Sequence, residues 1–193
     1  MHILAHNSNL LVFLDRDGVI TVENSESIKT PQEVEYIPGA LFALRLLHQA
    51  GALIALVSNQ SVVGRGLMTM DDLKVVHNCI LKDVQKAGGE ITISRYCPHS
   101  PEDDCPCRKP KPAMLQEILQ LLDTEMGIVP KRKYMIGDNE KDLLAGDAVG
   151  AAPIAVLSGK LKQKDIKSLE IKPHQVFPDL LWAVRWILTT NDK

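Results

Sequence analysis

The stretch at residues 10–18, LLVFLDRDG, constrains the fold more than any other part of the chain. Its five apolar residues lead into two aspartates and a glycine, and a short apolar run that ends in a turn is typical of a buried parallel strand. Because side chains two residues apart on an extended segment point the same way, we expect Asp15 and Asp17 to face one site. Two crowded carboxylates require a positive charge, most simply a metal ion. On this stretch alone, a solvated polar turn is an equally good interpretation.

The length and composition favour one domain and exclude several kinds of partner. A chain of 193 residues is long enough for one core and short for two, so a single domain over residues 1–193 is expected. A net charge of −2 gives no electrostatic basis for binding nucleic acid or an anionic membrane. No apolar run approaches the length of about 20 residues needed to span a bilayer. The N-terminus lacks a signal-peptide pattern, so we expect a cytoplasmic protein, and a monomer in preference to an oligomer.

Apolar runs and amphipathic segments alternate along the rest of the chain. Strands are predicted at 52–57, 91–97, 134–136, 152–157 and near 176, and helices at 40–50, 72–87, 113–126, 142–150 and 179–188. This alternation predicts an α/β fold of three layers, a Rossmann-like, mostly parallel sheet with helices on both faces. Residues 21–36 are expected to form a loop over the site, with a short helical turn at 31–33. No insertion is large enough for a cap domain.

Polar side chains follow three of the predicted strands, at the point where each strand ends. Asp15 and Asp17 follow the first strand, Ser58 the second and Asp138 a later one. Sheets of this kind bind ligands beyond the carboxyl ends of their strands. The three strand ends therefore converge on one crevice, and this convergence is a stronger indication of a site than any single motif.

These residues have the chemistry that phosphoryl transfer requires. Asp15 is a potential nucleophile, and a neighbouring negative charge favours keeping one of the two aspartates protonated, which suits Asp17 to general acid and base catalysis. Asp138 completes an oxygen site for Mg²⁺ with Asp15 and the backbone carbonyl of Asp17. Ser58 and Lys109 can bind the phosphoryl oxygens. Phosphate monoesters are among the slowest substrates that enzymes hydrolyse, so a metal, a cation and fixed donors are all needed.

Three cysteines and a histidine form a cluster within residues 97–107. Three thiolates and one imidazole make a closed tetrahedral set, which is typical of a structural zinc site with the ligands Cys97, His99, Cys105 and Cys107. A reduced surface loop without metal is the alternative. A filled site would fix the residues that follow it, Arg108 and Lys109. Cys79 lies apart from the cluster, on a predicted helix, and is expected in the core.

The segments DRDGV, SNQ, RKP and GDNEKD occur in the order of four motifs of the haloacid-dehalogenase-like phosphatases, and the chain resembles that family over approximately residues 10–157. The resemblance implies a phosphatase that forms an aspartyl-phosphate on Asp15, with Asp17 as acid and base. It implies phosphoryl binding by Ser58 and Lys109. The Mg²⁺ ligands that it implies are Asp15, Asp17 and Asp138, with Asp142 just outside the ligand set.

The cysteine-rich loop resembles that of two bacterial groups within this family. One removes the 7-phosphate of D-glycero-D-manno-heptose 1,7-bisphosphate, for lipopolysaccharide heptose, and the other acts on histidinol phosphate. The segments SNQSVVGRG and KPKPAML favour the heptose group. With Arg65 added as a nearby cation, the expected substrate-binding residues are Glu23, Asn24, Ser25, Glu26, Asn59, Gln60, Ser61, Arg65, Arg108 and Asn139.

The sequence also departs from this group at two places. Residues 23–26 lack the tyrosine that the group has there, and Asn139 stands where the group has a lysine. We expect Arg65 to compensate for the missing cation. Lysines at 160, 162, 164 and 167 are typical of a solvated surface, with added positive potential near an anionic substrate as the alternative. Two alternatives stay open, a phosphatase for histidinol phosphate or another small sugar phosphate, and a zinc-stabilised binding module without catalysis, against which the complete motif set argues.

Overall fold

The computed structural model describes residues 9–24 and 27–190. Within these ranges the strands are β1 (Leu10–Leu14), β2 (Leu53–Asn59), β3 (Ile93–Cys97), β4 (Arg132–Gly137), β5 (Ala152–Val156) and β6 (Gln175–Phe177). The α-helices are α1 (Ala40–Gln49), α2 (Met70–Lys86), α3 (Ala113–Met126), α4 (Glu140–Asp147) and α5 (Leu180–Thr189). Short 3₁₀ turns lie at Pro31–Glu33, Pro101–Asp103 and Ile166–Ser168. None of the described helices is long and apolar enough to cross a membrane.

All six strands pair in parallel, in the order β3-β2-β1-β4-β5-β6. The chain builds the sheet outward from β1 through β2 to β3, and then returns to the other side of β1 with β4. The order therefore reverses between β1 and β4, and at such a switch point the loops beyond the two strands diverge and open a crevice. The residues that follow these strands, Asp15 and Asp138, stand at its mouth.

The alternation of side chains along β1 explains why its sequence is apolar throughout. Leu11 and Phe13 pack on the face covered by α3 and α4, whereas Val12 and Leu14 pack on the face covered by α1, α2 and α5. All four side chains are buried. Each buried side chain of this size contributes about 1.5–3 kcal/mol to stability, so a strand buried on both faces has no place for a polar residue before its end.

The three-layer α/β prediction is confirmed, and so is the short turn, which the structure places at Pro31–Glu33. The helix predicted at 142–150 is displaced in the structure, because α4 begins at Glu140. The Asn139 side chain accepts a hydrogen bond from the backbone N–H of Lys141 at 3.1 Å, and Asp142 accepts one from the N–H of Asn139 at 3.1 Å. This reciprocal capping box makes Asn139 the N-cap and places Asp142 in the first turn.

Candidate active site

A cavity of about 640 Å³ opens where β1, β2 and β4 end. It is lined by every described residue that the sequence predicts for catalysis, Mg²⁺ binding or substrate binding, namely Asp15, Asp17, Glu23, Asn24, Ser58, Asn59, Gln60, Ser61, Arg65, Arg108, Lys109, Asp138, Asn139 and Asp142. Ser25 and Glu26, which are predicted to bind substrate, lie outside the described residues. The crevice expected from the strand ends is therefore a physical cavity.

The centre of this cavity is a buried lysine between carboxylates. The ammonium of Lys109, whose side chain is 1% exposed, lies 2.9 Å from Asp15 Oδ1 and 2.7 Å from Asp142 Oδ1. It also donates a hydrogen bond to the carbonyl of Val57 at 2.6 Å. Burial alone would lower the pKa of Lys109, but the two carboxylates outweigh it and raise that pKa above its ordinary value. Lys109 is therefore held as a cation.

One lysine does not balance the acidic charge around it. Asp15, Asp138 and Asp142 bring carboxylate oxygens within 4.8 Å of one another. Burial and the charges of its neighbours raise the pKa of Asp138 to about 7. Burial raises the pKa of Asp142 to about 6, against the opposing effect of Lys109. These hard oxygen donors with excess negative charge fit a divalent cation such as Mg²⁺. Asp142, which the sequence places outside the ligand set, lies within this cluster.

Asp138 is held between two loops that approach it through glycines. A Cβ atom added to Gly18 or to Gly159 would overlap the carboxylate of Asp138. The backbone N–H of Lys160 donates a hydrogen bond to Asp138 Oδ2 at 2.7 Å, and the Ser158 hydroxyl donates one to the carbonyl of Gly18 at 2.7 Å. The loop after β5 is therefore a wall of the site, packed directly against the loop after β1.

Asp17 lies beside this cluster with its carboxylate surrounded by donors. Burial would raise its pKa, but the charge and hydrogen bonds of Arg16, with hydrogen bonds from Gln60 and Thr21, lower it below the ordinary value. Asp17 is therefore not held protonated in this arrangement, contrary to the expectation for a general acid. The charge of Arg16, a residue without a predicted role, is the largest influence that lowers the pKa of Asp17.

Two amide side chains predicted to bind substrate hold other parts of the site. Asn59 donates from Nδ2 to the carbonyl of Lys109 at 3.0 Å and accepts from the N–H of Lys109 at 3.0 Å. Gln60, which is 2% exposed, donates from Nε2 to Asp17 Oδ2 at 2.9 Å and to Ser58 Oγ at 3.0 Å. Asn59 thus fixes the backbone of Lys109, and Gln60 links Asp17 to Ser58.

The cysteine-rich loop brings its four predicted zinc ligands together. The Sγ atoms of Cys97, Cys105 and Cys107 lie 3.1–3.4 Å apart, and His99 Nδ1 lies 3.2 Å from Cys107 Sγ. A tetrahedral zinc ion separates such ligands by about 3.5–3.8 Å, so the four residues fit zinc with little movement. The backbone carbonyl of His99 accepts a hydrogen bond from Arg108 at 3.2 Å, which ties the cluster to the cavity wall.

Comparison with known proteins identifies the family. The chain is 37% identical over 183 residues to the D-glycero-beta-D-manno-heptose-1,7-bisphosphate 7-phosphatase of Neisseria meningitidis serogroup A, an alignment that covers 94% of this chain and 96% of that protein. The HAD-hydrolase-like family matches residues 106–183. This chain belongs to the haloacid-dehalogenase-like (HAD-like) hydrolases. The family predicted from the four motifs is confirmed.

Two further relatives of this HAD-like hydrolase are also named as heptose 1,7-bisphosphate phosphatases. The D-glycero-beta-D-manno-heptose-1,7-bisphosphate 7-phosphatase of Pseudomonas aeruginosa is 39% identical over 153 residues, covering 79% of this chain and 84% of that one. The crystal structure of D,D-heptose 1,7-bisphosphate phosphatase from B. bronchiseptica, complexed with magnesium and phosphate, superposes with a TM-score of 0.82 and 31% identity. That similarity covers 93% of this chain and 98% of the other.

Lys141 and Lys160 line the cavity of this HAD-like hydrolase but are absent from the predicted site. Lys160 Nζ lies 2.9 Å from Glu23 Oε1, across the mouth of the cavity. In the sequence, Lys160 is one of four lysines in a run that is typical of a solvated surface, and nothing in that run distinguishes it. It reaches the site because β5 lies two strands from β1, so that the loops after both strands meet.

If Cys97, His99, Cys105 and Cys107 bind zinc, substitutions of different cysteines should have different effects on the zinc content. We expect about one zinc per chain in the native protein, and loss of that zinc in Cys105→Ser, because three ligands no longer close a tetrahedral site. Cys79→Ser is the matched control, since Cys79 is half-buried on α2 and outside the cluster. Zinc content by atomic emission checks this. Equal zinc in both variants would contradict the assignment.

Proposed function

We propose that this HAD-like hydrolase is a Mg²⁺-dependent phosphomonoesterase that removes the 7-phosphate of D-glycero-D-manno-heptose 1,7-bisphosphate. The observation that carries the proposal is the single cavity in which Asp15, Asp17, Ser58, Lys109 and Asp138 converge. The two relatives named above, at 37% and 39% identity, support the choice of substrate. A role in supplying heptose for lipopolysaccharide follows from that substrate.

The chemistry is assigned to the side chains of this chain in two steps. A carboxylate oxygen of Asp15 attacks phosphorus and the bond from phosphorus to the sugar oxygen breaks. Asp17, which must first take up a proton from solvent in exchange for one of its hydrogen bonds, gives that proton to the sugar oxygen. Asp17 then takes a proton from water as the water attacks the phosphorus of the aspartyl-phosphate, which releases inorganic phosphate and restores Asp15. Lys109 and the Ser58 hydroxyl offset the charge on the phosphoryl oxygens.

A bound Mg²⁺ would add positive charge beside the phosphoryl oxygens, held by Asp15, Asp138 and the backbone carbonyl of Asp17. The excess of carboxylate charge around Lys109 supports this assignment. A zinc ion bound by the cysteine-rich loop would be structural and would hold Arg108 and Lys109 in place. Because clustered free cysteines are typical of a reducing compartment, we propose that the enzyme is cytoplasmic.

The rest of the cavity provides groups for the sugar and for the second phosphate. Arg108 and Arg65 are cations on the side of the cavity formed by the zinc loop and the loop after β2. A planar guanidinium binds a phosphate through two parallel hydrogen bonds, which suits Arg108 to the second phosphate. On the opposite side, Glu23 Oε2 is buried and has no hydrogen-bond partner among the described residues, so it can accept a hydrogen bond from a sugar hydroxyl.

A panel of phosphate esters tests the proposed substrate. Phosphate release is measured on both anomers of the heptose 1,7-bisphosphate, on fructose 1,6-bisphosphate and on histidinol phosphate, with Mg²⁺ and with chelator. We expect the highest kcat/KM on a heptose bisphosphate, no activity with chelator, and a loss of at least about 10³-fold in Asp15→Asn, because the nucleophile is removed. Asp147→Asn, on the exposed side of α4, is the control. Activity confined to histidinol phosphate would overturn the proposed substrate.

The two arginines predict a difference between bisphosphate and monophosphate substrates. Arg108→Ala is expected to raise KM for the bisphosphate by at least about tenfold, because a charge-assisted contact to phosphate contributes about 1.5–3 kcal/mol. KM for the matching 7-monophosphate should change less than threefold. Arg65→Ala is expected to act in the same direction with a smaller effect. Steady-state kinetics measures both, with Lys164→Ala, which is exposed and outside the cavity, as the control. Equal effects on the two substrates would contradict this assignment.

A further inference from the structure

Arg16 is a fully buried arginine between the two catalytic aspartates. Its side chain is 0% exposed. The guanidinium donates from Nε to Asp17 Oδ1 at 3.0 Å and from Nη2 to Asp17 Oδ2 at 2.9 Å, a bidentate pair. Nη2 also donates to Gln60 Oε1 at 2.9 Å. The mechanism above gives Arg16 no role, although a buried charge in contact with the acid/base residue must affect it.

Arg16 determines which way the amide of Gln60 points. A guanidinium has only donors, so the oxygen of the amide must face Arg16 and the nitrogen must face away from it. The two protons on Gln60 Nε2 are then directed at Asp17 Oδ2 and at Ser58 Oγ. Ser58 Oγ accepts this bond, which leaves its own hydroxyl proton available for a phosphoryl oxygen. A reversed amide would present an oxygen to Asp17 and would repel it.

The carboxylate of Asp17 has no free position in this arrangement. It accepts two hydrogen bonds from Arg16, one from Gln60, and one from the hydroxyl of Thr21 at 3.0 Å. A carboxylate has about four acceptor positions, so all of them are filled. To hold or to take a proton during catalysis, Asp17 must exchange one of these contacts. The bonds from Arg16 join opposite charges in a bidentate pair, whereas Gln60 and Thr21 are neutral donors. Gln60 or Thr21 is therefore exchanged, and the bonds from Arg16 are kept.

We propose that Arg16 is a positioning residue that anchors the acid/base carboxylate of Asp17 and, through the amide of Gln60, orients the hydroxyl of Ser58. This inference rests on the proposed phosphatase chemistry, and it assigns that chemistry a dependence on a residue that touches neither substrate nor metal. Arg16 affects the proton transfers of Asp17, whereas the nucleophile, Asp15, is held by Lys109. Its loss should therefore impair the steps that need Asp17 more than the attack by Asp15.

The choice of leaving group separates these steps. A sugar alkoxide needs a proton from Asp17 when it leaves, whereas 4-nitrophenolate leaves without one. In Arg16→Met we expect kcat on the best sugar phosphate to fall at least tenfold with KM changed less than threefold. On 4-nitrophenyl phosphate we expect a burst of about one nitrophenolate per active site, followed by slow turnover, because the aspartyl-phosphate accumulates when Asp17 no longer activates water. Asp17→Asn provides the reference pattern, with losses of about 10²–10⁴-fold.

Matched variants distinguish positioning from a general loss of structure. Arg95→Met removes another arginine that pairs with a carboxylate, Glu117, at 2.8 Å on the surface, and it should leave both reactions unchanged. Arg16→Lys keeps the charge without the bidentate geometry, so kcat on the sugar phosphate should fall by a smaller factor and the nitrophenolate burst should again be preserved. If Arg16→Met does not fold, as judged by thermal unfolding, Arg16→Lys carries the test.

The outcomes either support or overturn the positioning role. Loss of the sugar-phosphate reaction with a preserved nitrophenolate burst supports it. Equal loss of the burst and of sugar-phosphate turnover in a folded variant, or unchanged kinetics in both, overturns it. The proposed function is tested separately, by the activity of the wild-type enzyme on the substrate panel. The Arg16 test compares kcat of the variant with kcat of the wild type on the best sugar phosphate, whichever that is.

Discussion

The ion pairs of Lys109 with Asp15 and Asp142 are the contacts on which the site depends. The three side chains come from the residue after β1, from the segment after the cysteine-rich loop, and from the first turn of α4, and they meet in an almost fully buried place. Removing Lys109 would leave two buried carboxylates without their cation, and breaking a buried ion pair in this way costs about 3–5 kcal/mol. The ammonium therefore binds these three segments together and also holds Asp15, the proposed nucleophile, beside the carboxylates proposed to bind Mg²⁺.

The fold supplies this arrangement through supports that lie outside the reacting groups. Asn59 brackets the backbone of Lys109 with two hydrogen bonds, and the cysteine cluster ends two residues before it. The glycines at 18 and 159 let Asp138 lie between two loops. A neutral amide, a cysteine-rich loop and the absence of two side chains thus position one lysine and one carboxylate. Because these supports are direct contacts within the folded chain, the site is largely formed before substrate binds.

Some of this site could be predicted from the sequence, for physical reasons that differ between residues. Asp15 and Asp138 were predictable because each follows an apolar run, and parallel strands bring their ends to one edge. The clustering of Cys97, His99, Cys105 and Cys107 was predictable because residues of these types at this spacing are typical of a closed tetrahedral site. The predicted start of α4 was wrong because Asn139 and Asp142 are both good capping residues. Only their reciprocal hydrogen bonds show that Asn139 is the N-cap.

The remaining residues depend on contacts between loops, which spacing along the chain does not encode. Arg16 reads as a solvated charge in a turn, and only the structure shows its side chain buried against Gln60, which lies 44 positions away. In the sequence, Lys160 is one surface lysine among four, and only the pairing of β5 with β4 brings it to the site.

The proposed mechanism requires that Asp15, held by Lys109, carries the phosphoryl group. Acid-quenching the enzyme during turnover, reducing the acyl phosphate with borohydride and mapping the peptides tests it directly. If Asp15 is the nucleophile, homoserine is expected at position 15, whereas homoserine at position 138 or 142, or no modified aspartate, would exclude that role.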